Sequence, residues 1–132
     1  MSNTGWNVIP NVSVNGLDFG IERTAVRKVL GKPKKVFRKT SSSENTTDAY
    51  ADFHVYYSPE DQLEAIEFFG SNIRLSINSQ PVYPGTLSSA RMILPDLVDC
   101  YGSYISKEAS VGISAEEGSI VSILVGRKNY YS

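Results

Sequence analysis

The chain is poor in the residues that most extracellular and catalytic sites require. Its 132 residues include one cysteine, Cys100, and one histidine, His54. A lone cysteine forms no intramolecular disulfide, and a disulfide-free sequence is typical of a reducing compartment. We therefore expect a cytoplasmic protein.

The single histidine excludes histidine-cluster metal sites and acid–base chemistry by paired histidines. Glycine patterns typical of phosphate or dinucleotide binding do not occur. Cys100, His54 and Asp52 contain the residue types of a thiol nucleophile with its base, but Cys100 lies in no recognisable nucleophile context. We favour a structural Cys100, and we interpret His54 as a strand-surface residue with partner contact as the alternative. The sequence thus predicts a protein without catalytic activity, cofactor or metal.

Long apolar runs and a strong net charge are also missing. No stretch approaches the roughly 18 apolar residues of a membrane span, and the N-terminal segment lacks the basic and apolar regions of a signal peptide. The net charge is −1, from 13 basic and 14 acidic residues, so no global field favours nucleic acid or an anionic membrane. Length and composition predict one globular domain, residues 1–132.

Charge is nevertheless uneven along the chain. Residues 23–39 include no acidic residue, and residues 44–67 include no lysine or arginine. The basic segment, with Phe37, has the features of a groove for a phosphate backbone, but we favour a solvated helix face and a strand edge protected by lysines. The acidic segment is either a solvated face or a source of electrostatic steering toward a basic partner.

An internal repeat divides the chain into residues 12–78 and 79–132. Residues 14–30 return in altered form at residues 77–94 when one insertion is allowed. The matched pairs are Val14/Ile77, Asn15/Asn78, Phe19/Tyr83, Arg27/Arg91, Val29/Ile93 and Leu30/Leu94. A repeat of this size predicts two similar supersecondary units that share one core.

The hydrophobic periodicity predicts one helix in each unit, at residues 22–30 and at about 87–94. Val26, Val29 and Leu30 are the expected core stripe of the first helix. Alternation predicts a half-buried strand at residues 50–57 that forms a hairpin with residues 63–69. Helices followed by hairpin-connected strands predict an α+β fold, with two units and helices packed on one face of a mainly antiparallel sheet.

One set of residues carries a resemblance to a known fold. These are Leu17-Asp18-Phe19-Gly20, Val26, Leu30-Gly31, Pro33 and the return strand Ile66-Glu67-Phe68-Phe69. Together they resemble the helix-plus-sheet unit of the β-lactamase-inhibitor-protein-like fold, which the inhibitor proteins carry twice in tandem. The chain lacks the lipidated cysteine of related lipoproteins and the disulfides of the secreted inhibitors. The resemblance therefore implies a cytosolic protein that grips other proteins, similar to small bacterial toxin-immunity proteins.

Tyrosine indicates where such a partner would bind. The chain has eight tyrosines, a residue that is enriched at protein interfaces as well as in strands. If Phe53, Val55 and Tyr57 face the core, alternation places Asp52, His54 and Tyr56 on the opposite face of the sheet, and a β-bulge would reverse the two faces. The predicted partner-binding residues are those three at the centre and, at the rim, Glu60, Asp61 and Glu64.

The function that we expect is neutralisation of a partner toxin, a basic nuclease being one option, by a non-enzymatic immunity protein. A stand-alone structural or ligand-binding domain is the alternative, and a weak nucleic-acid binder is a third and less favoured one.

Overall fold

The computed structural model describes residues 5–132. Within this range the chain forms thirteen strands and two helices. The first half comprises β1 Gly5–Ile9, β2 Ser13–Val14, β3 Leu17–Asp18, α1 Arg23–Leu30, β4 Lys35–Phe37, β5 Thr47–Ala49, β6 Phe53–Tyr57 and β7 Leu63–Phe68. The second half comprises β8 Arg74–Ile77, β9 Gln80–Tyr83, α2 Leu87–Ile93, β10 Val98–Cys100, β11 Ser103–Ser106, β12 Val111–Glu116 and β13 Ser119–Gly126.

The strands form two sheets. The eight-stranded sheet has the order β10-β11-β12-β13-β7-β6-β5-β4 and is antiparallel throughout. It therefore consists of two four-stranded meanders whose last strands, β7 and β13, pair at the centre. The five-stranded sheet has the order β3-β2-β1-β8-β9, and its β1–β8 pair is parallel.

The core lies between the two sheets. Trp6 of β1 places its ring against Phe53 of β6 and Phe68 of β7, with centroid distances of 5.0 and 5.1 Å. Val55, Ile66, Val111 and Val125 continue this core along the large sheet. All belong to one cluster of buried side chains that also includes residues of both helices. The face of the eight-stranded sheet that carries these residues is called the inner face below, and the opposite one the outer face.

The predicted fold class is wrong. Residues 5–132 are 47% strand and 12% helix, and a second sheet, rather than helices alone, covers the inner face. The second sheet, which the sequence did not predict, depends on the pairing of Gly5–Val8 with Arg74–Ile77. These two strands are far apart in the sequence and no hairpin joins them, so alternation and turn residues do not predict their pairing. Whether residues 12–78 and 79–132 are repeats of one another stays a prediction.

The helices occur where periodicity places them, but they contribute less to the core than expected. On α1, Val26 is fully buried and Leu30 is partly buried, whereas Val29 is 66% exposed. Gly31 ends α1 with a positive φ of 86°, a conformation that favours glycine. Thr86 begins α2 by accepting a hydrogen bond from the Ser89 amide. Neither helix of residues 5–132 has the length and apolar character needed to cross a membrane.

Candidate functional site

The outer face of the eight-stranded sheet follows directly from the strand register. One row of paired residues crosses all eight strands on this face. From one edge to the other the row is Val98, Ile105, Gly112, Leu124, Glu67, His54, Ala49 and Lys35. The neighbouring row contains Gly126, Ala65, Tyr56, Thr47 and Phe37. The β10–β13 half of the first row is uncharged, and the other half carries charged and ionisable side chains.

Tyr56 and Glu67 form the polar centre of this face. The Tyr56 hydroxyl donates a hydrogen bond to Glu67 Oε1 at 2.5 Å. Burial and this carboxylate raise the pKa of Tyr56 far above its ordinary value, so the phenol stays protonated at physiological pH. The ammonium group of Lys39 lies over the Tyr56 ring, 4.7 Å from its centroid. Glu67 was not among the predicted site residues, although it lies directly opposite His54.

His54 lies on the outer face, as alternation predicts, and is held by aromatic rings. Phe37 and Phe69 contact it edge to face at centroid distances of 5.3 and 4.8 Å. Burial lowers the pKa of His54 below its ordinary value of 6.5, against the opposing effect of Glu67. The imidazole is therefore neutral at pH 7 and contributes shape and ring surface to this face rather than charge.

Asp52 does not lie on β6, the strand that carries His54 and Tyr56. The predicted strand over residues 50–57 is shorter, because the Tyr50 amide bonds to the Phe53 carbonyl and residues 50–53 form the β5–β6 turn. The Asp52 carbonyl accepts bonds from the Phe69 and Gly70 amides. Alternation therefore does not apply to Asp52, which lies at the end of the hairpin and not at the centre of the outer face.

The three predicted rim acids have different environments. Glu60 is exposed in the β6–β7 turn. Asp61, in contrast, has a positive φ of 65°, and its carboxylate accepts hydrogen bonds from Arg23 Nε and Asn45 Nδ2, both at 2.9 Å. Glu64 lies on β7 and lines a depression on the outer face. Asp61 thus links the β6–β7 turn to α1 through Arg23. Glu60 and Glu64 remain available for contact with a partner.

The C-terminal segment contributes two residues that were not predicted for the site. Tyr130 and Tyr131 contact each other edge to face, with centroids 5.0 Å apart. Each fills a gap on the outer face where a strand glycine has no side chain. A Cβ on Gly126 would lie 2.7 Å from the Tyr130 ring, and one on Gly112 would lie 2.1 Å from the Tyr131 hydroxyl. Glycine inside a strand was the available signal, since it marks the close approach of another group.

Two shallow depressions flank Lys39 on this face. The first, of ≈ 220 Å³, lies beside the loop that joins β4 to β5 and is lined by Tyr56, Glu64 and Tyr130 among others. The second, of ≈ 210 Å³, extends over β11–β13 and is lined by Glu67 and Tyr131 among others. Lys39 lines both. The three tyrosines and two glutamates therefore lie around one lysine side chain.

A buried ion cluster lies on the inner side of the same strands. Asp48 is fully buried and accepts hydrogen bonds from Arg23, Arg27 and Tyr57. Arg23 also lies over the Tyr57 ring, 4.1 Å from its centroid. This cluster attaches α1 to β5 and β6, and its polar groups are mutually satisfied. Asp48 consequently cannot steer a partner, although the sequence places it in the acidic segment.

The residues considered for catalysis are not brought together. Cys100 is exposed on the edge strand β10, and four strands separate it from β6, which carries His54. Among residues 5–132 no group of three or more histidine, cysteine, aspartate or glutamate side chains is arranged to hold a metal ion. The absence of enzymatic activity stays a prediction.

Comparison with known proteins does not assign this arrangement to a family. No family model, curated protein or solved structure matches the chain. The resemblance to the β-lactamase-inhibitor-protein-like fold and to immunity proteins therefore stays a prediction, and the functional argument depends on the outer face itself.

Proposed function

We propose that this protein is a non-enzymatic protein-binding inhibitor of the immunity type, which neutralises a basic bacterial toxin in the cytoplasm. The observation that carries the proposal is the composition of the outer face. Tyr56, Tyr130 and Tyr131 lie there with Glu64 and Glu67, on the side of the sheet opposite the core. No cofactor or metal is needed for such binding.

The chemistry of this face suits a protein partner. Tyrosine supplies a large contact area with a polar group and loses little conformational entropy on binding. The hydrogen bond of Tyr56 and the packing of Tyr130 and Tyr131 on Gly126 and Gly112 restrict these rings before any partner arrives. Such pre-organisation lowers the entropic cost of association.

Charge favours a basic partner. Glu64 and Glu67 lie among the tyrosines, and Glu60 lies in the adjacent β6–β7 turn. Acidic groups at and around a contact surface accelerate association with a basic protein and make the rate dependent on salt. The step from binding to inhibition of a toxin depends on the resemblance to immunity proteins.

The nucleic-acid alternative is weakened by the buried cluster. Arg23 and Arg27 contribute two of the cations in the basic segment, and both are bound to Asp48. They are therefore not available for phosphate contacts. A ligand-binding domain is the second candidate, favoured by a depression of ≈ 330 Å³ beside the C-terminal end of α2, lined by Ile93, Asp96 and Glu108 among others. Its volume lies at the lower limit for small-molecule sites.

Affinity capture from the native host tests the proposal. The full chain is immobilised as the parent, as Tyr56→Ala and as Met92→Ala. Met92 is 87% exposed on α2 and serves as the matched control. We expect the parent and Met92→Ala to retain one stoichiometric basic protein, and Tyr56→Ala to retain much less. The captured protein should be toxic when expressed alone and tolerated when expressed with the parent. Capture of no such protein, or equal capture by all three, would contradict the proposal.

A further inference from the structure

Lys39 occupies an unusual position in the free protein. It follows β4 in the loop that leads to β5, and its ammonium lies over the ring of Tyr56, 4.7 Å from the centroid. The same ring is fixed through its hydroxyl to Glu67. A cation over a tyrosine whose hydroxyl meets a carboxylate is attracted by both groups.

The surroundings of this ammonium have the composition of a cation site. Tyr130 and Glu64 lie in the depression on one side of Lys39, and Tyr131 and Glu67 lie in the depression on the other. Tyrosine rings and carboxylates are the groups that recognise ammonium and guanidinium ligands, and here they line the two depressions next to Lys39. Lys39 lines both depressions.

Lys39 is held loosely in this position. The residue is exposed, and the ion pairs among residues 5–132 all involve Arg23 or Arg27. A ring contact at an exposed site is weak, and the lysine stem is long and flexible. Another cation of similar chemistry can therefore displace the Lys39 ammonium without breaking an ion pair.

We propose that Tyr56, Tyr130, Tyr131, Glu64 and Glu67 form a site for an organic cation, and that Lys39 occupies it as an internal substitute until a ligand displaces it. The identity of the natural ligand rests on the proposed function: it is a lysine or arginine side chain of the basic partner. Because Lys39 occupies the site in some molecules, the apparent affinity for the ligand equals the intrinsic affinity multiplied by the fraction of molecules in which the site is open. It also disfavours partners that lack a cation to replace it.

Titration with tetramethylammonium chloride tests the site without any partner. Ionic strength is kept constant with sodium chloride, and binding is followed by the ring NMR signals of Tyr56, Tyr130 and Tyr131. Lys39→Ala should bind the probe about three- to sixfold more tightly than the parent, since a cation–π contact at an exposed site closes the site by about that factor. Lys35→Ala is the matched control, because it removes the same charge from the same edge of the sheet. It should change the affinity less than about twofold, because an exposed charge outside the site acts only through a screened field.

Two second-site variants assign the gain to the proposed groups. Both double variants, Lys39→Ala/Glu67→Gln and Lys39→Ala/Tyr56→Leu, should lose the gain in affinity for tetramethylammonium. If the variant with Tyr56→Leu does not fold, the variant with Glu67→Gln still tests the assignment, because glutamine preserves the shape of the glutamate side chain. A gain of equal size in Lys35→Ala, no gain in Lys39→Ala, or a gain retained in either folded double variant would overturn the inference. Failure of these titrations leaves the capture experiment unaffected, so failure of the cation site and failure of the proposed function are distinguishable.

Discussion

Replacement of Asp48 tests whether this acidic residue stabilises the fold rather than steers a partner. The carboxylate is fully buried. It accepts hydrogen bonds from Arg23 Nη1 at 3.0 Å, Arg27 Nε at 2.8 Å, Arg27 Nη2 at 2.6 Å and the Tyr57 hydroxyl at 3.1 Å. Arg23 is itself only 8% exposed, so its guanidinium cannot regain full hydration when Asp48 is removed.

The size of the effect follows from these contacts. Loss of one partner from a buried ion pair costs about 3–5 kcal/mol, because the other charge is left uncompensated. We expect Asp48→Ala to lie in the lower part of that range, since Asp61 still accepts a bond from Arg23. Asp48→Asn preserves shape but removes the charge and leaves one acceptor oxygen, so it should also cost about 3 kcal/mol.

Urea unfolding followed by the fluorescence of Trp6 measures both costs. Trp6 is the only tryptophan, and its contacts with Phe53 and Phe68 report on the junction of the two sheets. Glu60→Gln, on the exposed turn, is the control and should change the free energy of unfolding by less than about 0.5 kcal/mol. A loss below about 1 kcal/mol for Asp48→Ala would refute the reasoning.

Three further predictions concern single positions. Val26→Ala should cost about 1–2 kcal/mol and Val29→Ala less than about 0.5 in chemical denaturation, because the first side chain is fully buried and the second is 66% exposed. Because the folded pKa of His54 is lowered, the unfolded chain binds the proton first. The contribution of His54 to the free energy of unfolding should therefore be level above about pH 6.5 and fall as the pH drops below it, and His54→Gln should remove that contribution. Gly112→Ala should displace Tyr131, seen as a shift of its ring NMR signals, with a stability change within about 1 kcal/mol.

Local patterns predicted the parts of the fold that local contacts determine. Alternation placed His54 and Tyr56 on the outer face, and apolar periodicity located both helices. Each of these features depends on residues within a few positions of one another. The predicted placement of Asp52 on the outer face was wrong, because Asp52 lies in the β5–β6 turn and β6 begins only at Phe53.

Contacts between residues that are distant in the sequence account for the features that local patterns did not predict. The pairing of β1 with β8 creates the second sheet, and no hairpin connects these two strands. Asp48 is buried because Arg23 and Arg27 reach it from another element. Tyr131 joins the outer face because Gly112, on the separate strand β12, leaves room for its ring. In each case the composition of one segment acquires its role only from a segment elsewhere in the chain.

The affinity of Tyr56→Ala for the captured basic partner tests the central claim most directly. The parent, Tyr56→Ala, Glu60→Ala and the control Met92→Ala are titrated calorimetrically, with the fold of each checked by circular dichroism. If the outer face is the contact surface, Tyr56→Ala should weaken binding by about 2 kcal/mol or more, as expected for a central aromatic residue. Glu60→Ala should cost less than about 1 kcal/mol, because a rim charge acts mainly on the association rate, and Met92→Ala should match the parent. A folded Tyr56→Ala that binds as tightly as the parent would contradict the assignment of this face.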